Sequence, residues 1–431
     1  MLRSRSVVMW MVGLCTVAWA AAASAQSLRE TLKDIDIAPH WIYDDLPRAL
    51  DQARATGKPL LVVLRCVPCP PGRSLDMQVM KPAGALADLQ QEFVCVRVIQ
   101  TKGLDLSLFQ YDFDMSWSAV FMNADRIIYG RYGTRSAGGP QSDEHLAIES
   151  FTKATRLALA LHQGYPGNKD QLLGKLPSKA PDYARPELTP GLEDRAVGAT
   201  TRQSCIHCHM VKEYALRAKW QAGTLSLADL WVYPMPEQIG LTIDDRDGRV
   251  VREVTSGSPA AQAGFEKGDE LLRLNGQPLI SVADIQWVLH NVPADTTLDA
   301  TVRRSGADRN LRITLEGNWK KSDIAWRASS WYGLRQGLKL EPLAEAERAR
   351  HGLEARTMGL LIKGLFGKGA APLKAAGLRV GDVVVAMDGQ SDELTEGEFL
   401  TRLRLEHGPR DAVRLTILRD GRRHDKSIPL W

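Results

Sequence analysis

The chain has 431 residues, 44% hydrophobic and 25% charged, a soluble-protein composition at a length that suggests roughly three domains rather than one core. Its 55 basic and 51 acidic residues leave a formal charge of +4, which gives no electrostatic case for nucleic acid or an anionic membrane surface. Arg3 and Arg5, the apolar run from Val7 to Ala22 and the small-residue site Ala23-Ser24-Ala25 read as an export signal over residues 1–25, with an uncleaved anchor as the alternative. Cleavage predicts a mature protein that starts near Gln26, is periplasmic or otherwise exported, and is soluble with no stable membrane span.

A helix is expected from Ala49 to Ala55, ended by Gly57-Lys58-Pro59. The buried strand Leu60-Leu61-Val62-Val63-Leu64 then runs into Cys66-Val67-Pro68-Cys69. A second strand, Phe93 to Ile99, carries Cys95 as a core thiol; a hairpin of Ser118–Met122 and Arg126–Gly130 and an amphipathic helix from Glu144 to His162 follow. A Cys66 thiolate at a helix start beside Arg65 would have a lowered pKa. The alternative is a static structural disulfide.

This order of elements resembles a thioredoxin-like α/β domain over residues 40–165. The resemblance implies that Cys66 attacks, that Cys69 resolves the mixed disulfide, and that Pro68 fills the usual proline position. Two departures stand out. Trp117 occupies the place of the thioredoxin cis-proline, and Pro70-Pro71-Gly72 disfavours a regular helix directly after Cys69.

Residues 166–235 read as a linker and a short helical segment around Cys205-Ile206-His207-Cys208-His209. Two thiols three positions apart, followed by histidine, suit one covalent haem c, with Cys205 and Cys208 on the vinyl groups and His209 on the iron. Zinc on Cys205, His207, Cys208 and His209, or shared with Cys66 and Cys69, remains an alternative, as does a disulfide. The span before residue 236 is too short for a complete cytochrome fold. Met235, in Tyr233-Pro234-Met235-Pro236, is the first candidate for the distal ligand, His162 is the second, and an open site is the third.

The C-terminal half repeats itself. Ser258-Pro259-Ala260-Ala261 through Gly268-Asp269 recurs as Ala371-Pro372-Leu373-Lys374 through Gly381-Asp382, and the match runs on to Asn275-Gly276 and Asp388-Gly389. Each copy reads as a short helix, a strand and a hairpin turn. The copies resemble the bacterial type of PDZ domain, placed at 236–316 and 332–431. The resemblance implies capture of peptide C-termini by the loop Ile239-Gly240-Leu241-Thr242 in the first copy, against a helix from Ser281 to His290 that offers Val282 and Ile285. Gln336-Gly337-Leu338-Lys339 is the best-fitting loop in the second copy. The alternative for each is a domain packed internally. No role is assigned to Asp323–Trp331, between the copies.

The expected fold is thus multi-domain α+β: a thioredoxin-like α/β domain, a short haem-binding helical segment and two PDZ-like β-rich domains. The whole resembles a group of bacterial thioredoxin/PDZ proteins best known from planctomycetes, some with selenocysteine in the dithiol motif, which favours a redox role for Cys66. The expected function is exported thiol-redox and electron transfer, including thiol–disulfide oxidoreductase activity, with redox partner proteins and with periplasmic proteins or peptide C-termini held by the PDZ domains. The alternative is a PDZ scaffold or redox sensor in which haem and disulfide are structural or sensory. An HtrA-type protease, which often carries such PDZ domains, is set aside for want of a G-x-S-G-G motif.

Overall fold

The computed structural model describes residues 28–67, 69, 71–133, 146–196 and 204–430; the expected export signal, Pro68 and Pro70 lie outside them. The first part forms a five-stranded sheet in the order β1-β3-β2-β4-β5. Its elements are β1 (Ile42–Tyr43), α1 (Leu46–Thr56), β2 (Leu60–Arg65), α2 (Arg73–Met80), α3 (Ala85–Gln91), β3 (Val94–Val98), β4 (Trp117–Met122), β5 (Ile128–Tyr132) and α4 (Ile148–Gln163). β3 is parallel to β1 and β2, whereas β4 is antiparallel to β2 and β5. Every residue of β2 is buried, as befits an unbroken apolar run covered on both faces. Asp45 caps α1 and Gly57 ends it in the left-handed region at φ 70°, where glycine costs least.

α2 does not follow Cys69 directly. Gly72 turns the chain at φ 76°, and a Cβ there would lie 2.7 Å from Trp117 Cβ, so the helix starts only at Arg73. The expected helix start at the dithiol is corrected accordingly.

Past an irregular stretch come α5 (Cys208–Gln221) and α6 (Leu227–Leu230), then the two repeats. The first holds β6 (Leu241–Ile243) paired with β7 (Val251–Val254), then α7 (Pro259–Gln262), β8 (Glu270–Leu274), β9 (Gln277–Pro278), α8 (Val282–Asn291), β10 (Thr296–Arg304) and β11 (Ala307–Leu315). Its larger sheet has the order β11-β10-β8-β9. The second holds β12 (Leu338–Pro342), β13 (Leu360–Leu365), α9 (Ala370–Ala375), β14 (Val383–Met387), α10 (Glu396–Glu406), β15 (Ala412–Arg419) and β16 (Arg422–Pro429), with its strands paired in chain order. The hairpin turns sit where the repeat puts them: Asn275-Gly276 has φ values of 49° and 76°, Asp388-Gly389 of 49° and 84°.

The chain divides into two compact units, Met1–Ser136 with Gln141–Cys208 and Tyr233–Trp319, and Ala137–Pro140 with His209–Val232 and Lys320–Trp431. Within the first, the repeat caps the sheet. β5 is an edge strand, and Arg131 directs its free N–H to Asp284 Oδ1 (3.1 Å) and its C=O to the Ser281 hydroxyl (2.6 Å). Gly130 lets Ile280 come so close that a Cβ would collide with it. Asp284 also accepts from Lys175 Nζ (2.8 Å) and Ile280 N–H (3.0 Å), and the Lys175 and Asp284 side chains are 0% and 1% exposed. The Trp287 indole donates to Gly174 C=O (2.9 Å) and lies 3.6 Å under the Arg131 guanidinium.

Removing one partner of a buried pair strands the other charge. Asp284→Ala should therefore destabilise this unit by about 3–5 kcal/mol, whereas Asp308→Ala, which breaks the half-exposed Arg303–Asp308 pair, should cost under about 1 kcal/mol. Urea unfolding followed by amide exchange in β4 and β5 measures both.

Candidate functional site

β2 delivers Cys66 to the end of the sheet, where it is disulfide-bonded to Cys69 with the Cys69 N–H donating to the Cys66 C=O (3.0 Å). Arg65 is buried under this loop. Its guanidinium donates to the carbonyls of Pro71 (2.6 Å), Cys69 (2.7 Å) and Ser116 (3.0 Å), and pairs with Asp76 at 3.4 Å. Asp76 also accepts from Arg97 and from the Trp117 indole (2.9 Å). The arginine expected to assist the thiolate thus braces the loop backbone, and Trp117 is a hydrogen-bonded core residue.

The C-x-x-C-H segment packs on this same end. Ile206 C=O accepts from the Thr101 N–H (3.1 Å) and hydroxyl (2.9 Å), and Cys205 C=O accepts from Arg195 (3.2 Å). His207 Nδ1 comes to 3.4 Å from Cys66 Sγ, and the Tyr111 hydroxyl donates to Cys208 Sγ (3.2 Å). Sequence reasoning grouped His207 with the cysteines only as a zinc ligand and missed Tyr111, because contacts across more than ninety residues leave no local pattern. Burial pushes the Cys205 thiol up to about 12 and raises the Cys208 and Tyr111 groups, while burial, with Arg195 nearby, lowers His207.

These surroundings do not fit a haem. Both thiols are buried, Cys205 at 2% exposure and Cys208 at 7%, against protein groups where thioether bonds would need a porphyrin edge. Among the described residues no group of three or more His, Cys, Asp or Glu is placed to hold a metal, and the zinc alternatives find no support. The expected distal ligands are engaged elsewhere. Met235 Sδ accepts from Gln286 (3.2 Å) in the first repeat, and both ring nitrogens of His162 are hydrogen-bonded, to Tyr129 (2.9 Å) and Gly57 C=O (3.0 Å). His209 lies in α5, one residue past Cys208.

In the native protein Cys95, Cys205 and Cys208, all buried free thiols, should resist iodoacetamide at neutral pH and react fully once unfolded. Mass spectrometry of the alkylated protein checks this.

Asp44, beside this end of the sheet, accepts from Ile99 N–H (3.2 Å) and Gln100 (2.8 Å), yet burial raises its carboxyl to about 6. The folded state therefore holds this proton more tightly than the unfolded chain. The resulting stability is present below the unfolded value of 3.8 and is lost as pH rises through about 6. Asp44→Asn, which suits the positive φ of 52°, should remove that slope and gain on wild type by up to about 3 kcal/mol between pH 4 and 7, read by urea denaturation at each pH.

The second candidate surface lies in the first repeat. Pro236–Ile239 form a 3-10 turn that ends at Gly240, whose φ of 88° and whose contact with Ser258, where a Cβ would collide, both demand glycine. Leu241 and Thr242 open β6. Ile239, Leu241, Val282 and Ile285 share one apolar core, so the loop and α8 pack directly against each other. α8 is capped by Ser281 and buried on every face from Val282 to Leu289. Asp284 and Trp287 face the sheet edge, and Gln286 and His290 hold Tyr233, through its C=O (3.0 Å) and a ring stack at 4.2 Å.

Comparison with known proteins places these parts. A thioredoxin-like family model matches residues 41–124. A PDZ-domain model matches residues 238–315. The chain thus contains both domain types, and neither match extends to a selenoprotein group or a haem motif. Among curated relatives, a probable periplasmic serine endoprotease DegP-like of Pseudomonas savastanoi pv. phaseolicola is 28% identical over 194 residues, 44% of this chain and 38% of that protein. One of Ectopseudomonas mendocina is 26% identical, over 44% of this chain and 39% of its own. The chain therefore spans under two-fifths of these relatives. Among solved structures, the serine endoprotease from Yersinia pestis is 33% identical over 18% of this chain and 28% of its own, with a TM-score of 0.17. The HtrA3 PDZ domain bound to a phage-derived ligand (FGRWV) is 26% identical over 17% of this chain and 71% of its own, with a TM-score of 0.15.

These relatives correct the functional expectation. Over 44% of its length the chain is similar to DegP-like periplasmic endoproteases, and the thiol-redox, haem, cytochrome and electron-transfer reading is withdrawn, together with the haem-based scaffold or sensor. The relatives that match are proteases of the kind set aside on motif grounds, and the match covers 44% of this chain. No helix among the described residues is long and apolar enough to cross a membrane.

Proposed function

We propose that this chain is an exported polypeptide-recognition protein, whose PDZ domain at 238–315 takes apolar C-terminal ends of polypeptides in periplasmic protein turnover of the DegP-like kind. The observation that carries the proposal is the loop Ile239-Gly240-Leu241-Thr242. Its glycine is required both by backbone and by the contact with Ser258, and it leads an edge strand, β6, into the apolar core shared with α8. A terminal carboxylate suits the backbone N–H groups of such a loop, and an apolar last side chain suits the apolar contact between Leu241 and Ile285 once β6 and α8 part to admit it. The periplasmic location of the relatives and the expected export signal support placement in the periplasm. The second repeat is a further PDZ domain in this reading, and the thioredoxin-like domain is the body against which α8 is set.

The full chain should bind peptides with apolar free C-termini in a fluorescence-anisotropy screen. Amidating the terminus removes charged hydrogen bonds and should weaken binding about tenfold or more. Gly240→Val should abolish it without unfolding the thioredoxin-like domain. Equal binding of free and amidated peptides refutes carboxylate capture. The relatives' names favour one further reading, that the chain itself hydrolyses polypeptides. Digestion of casein blocked by a serine-directed fluorophosphonate would establish it, and intact casein beside peptide binding would leave recognition as the activity.

A further inference from the structure

The second repeat presents the cleft between β12 and α10 at the edge of its sheet, and there the chain lies against itself. Ile324, from the stretch between the repeats, is 1% exposed. It belongs to one apolar cluster with Leu338 and Leu340 of β12 and with Phe399, Leu400 and Leu403 of α10. Its neighbour Asp323 sits so close to the first turn of α10 that a Cβ at Gly397 would collide with the Asp323 carboxylate.

A polar clasp holds this arrangement. Arg335 donates to the Ala325 C=O and pairs with Glu396 at the start of α10. Glu396 in turn accepts the backbone N–H of Leu340 (2.8 Å). β12 is an edge strand, so that N–H is one an added peptide strand would use. Lys321 pairs with Glu398, in the same first turn of α10. At the loop end, the Leu338 N–H is already given to the Arg335 C=O (2.9 Å), which takes one donor away from a terminal carboxylate.

We propose that Asp323-Ile324-Ala325 is an internal ligand that closes the β12–α10 cleft, and that the cleft's external ligand is an internal polypeptide segment of the same chemistry: a β-branched aliphatic residue between an acidic and a small one. The tether gives the internal segment a high effective concentration, so an outside segment binds only the fraction of molecules in which it has left. The cleft therefore engages partners that present such a segment at high local concentration. This inference does not depend on peptide capture by the first repeat.

The test uses the full chain and a fluorescein-labelled peptide with the sequence of residues 319–329. Wild type should bind it weakly. Ile324→Ser should bind it roughly tenfold tighter or more, because the open fraction then approaches one. Glu396→Gln, which loses the ionic clasp and keeps Ile324, should fall between. A peptide with serine in place of its isoleucine should not bind. In wild type, a large excess of the peptide should speed amide exchange at 323–326. Folded variants that bind no better than wild type, with exchange at 323–326 unchanged by the peptide, overturn the proposal. Should Ile324→Ser fail to fold, Glu396→Gln decides, and no gain in that variant overturns it.

Discussion

One buried carboxylate organises the first unit. Asp284 sits at the N-terminal turn of α8 and accepts from Arg131 of the sheet edge, from Lys175 of the irregular stretch and from its own chain at Ile280. Burial alone would drive the Lys175 ammonium toward its neutral form, and Asp284 opposes that by charge and hydrogen bond. Burial likewise draws Arg131 down to about 10, with Asp284 again the opposing charge. Three segments far apart in sequence must therefore assemble together, because none can bury its polar groups alone.

The same constraint shapes recognition. In a free-standing PDZ domain the groove helix has one face toward the groove and one toward water. Here α8 has no such outer face, since Trp287 and Asp284 lie against β5 and Gly174. Movement of the groove wall in the first repeat is thereby tied to the sheet edge it caps. In the second repeat the clasp of Arg335 and Glu396 does a comparable task from a different source, a segment of the chain itself.

The cysteines show how far a local motif can be carried. Cys205-Ile206-His207-Cys208-His209 satisfies every local demand of haem attachment, yet its meaning depends on what faces the thiols. Thr101 and Arg195 pin the segment by its carbonyls, Tyr111 takes up Cys208, and His207 turns toward Cys66. Spacing along a chain sets which atoms can reach a common point. It does not set whether that point is open.

What was legible in the sequence was whatever local physics decides. The unbroken apolar run of β2, the stop at Gly57, the Asn-Gly and Asp-Gly turns and the glycine of the loop at 239–242 follow from side-chain period, backbone freedom and turn chemistry. They sufficed to identify two domain types, and the repeat suggested a third unit like the second. The delayed start of α2 was half visible, in Pro70-Pro71-Gly72, but its cause lies in Trp117, forty-five residues away. Only the tertiary structure decided that Arg65 serves carbonyls, that α8 is covered on all sides, that Met235 belongs to Gln286, and that Ile324 fills a cleft. Each of these depends on desolvation by a surface distant in the chain, and the free energy of burying a group is a property of what covers it.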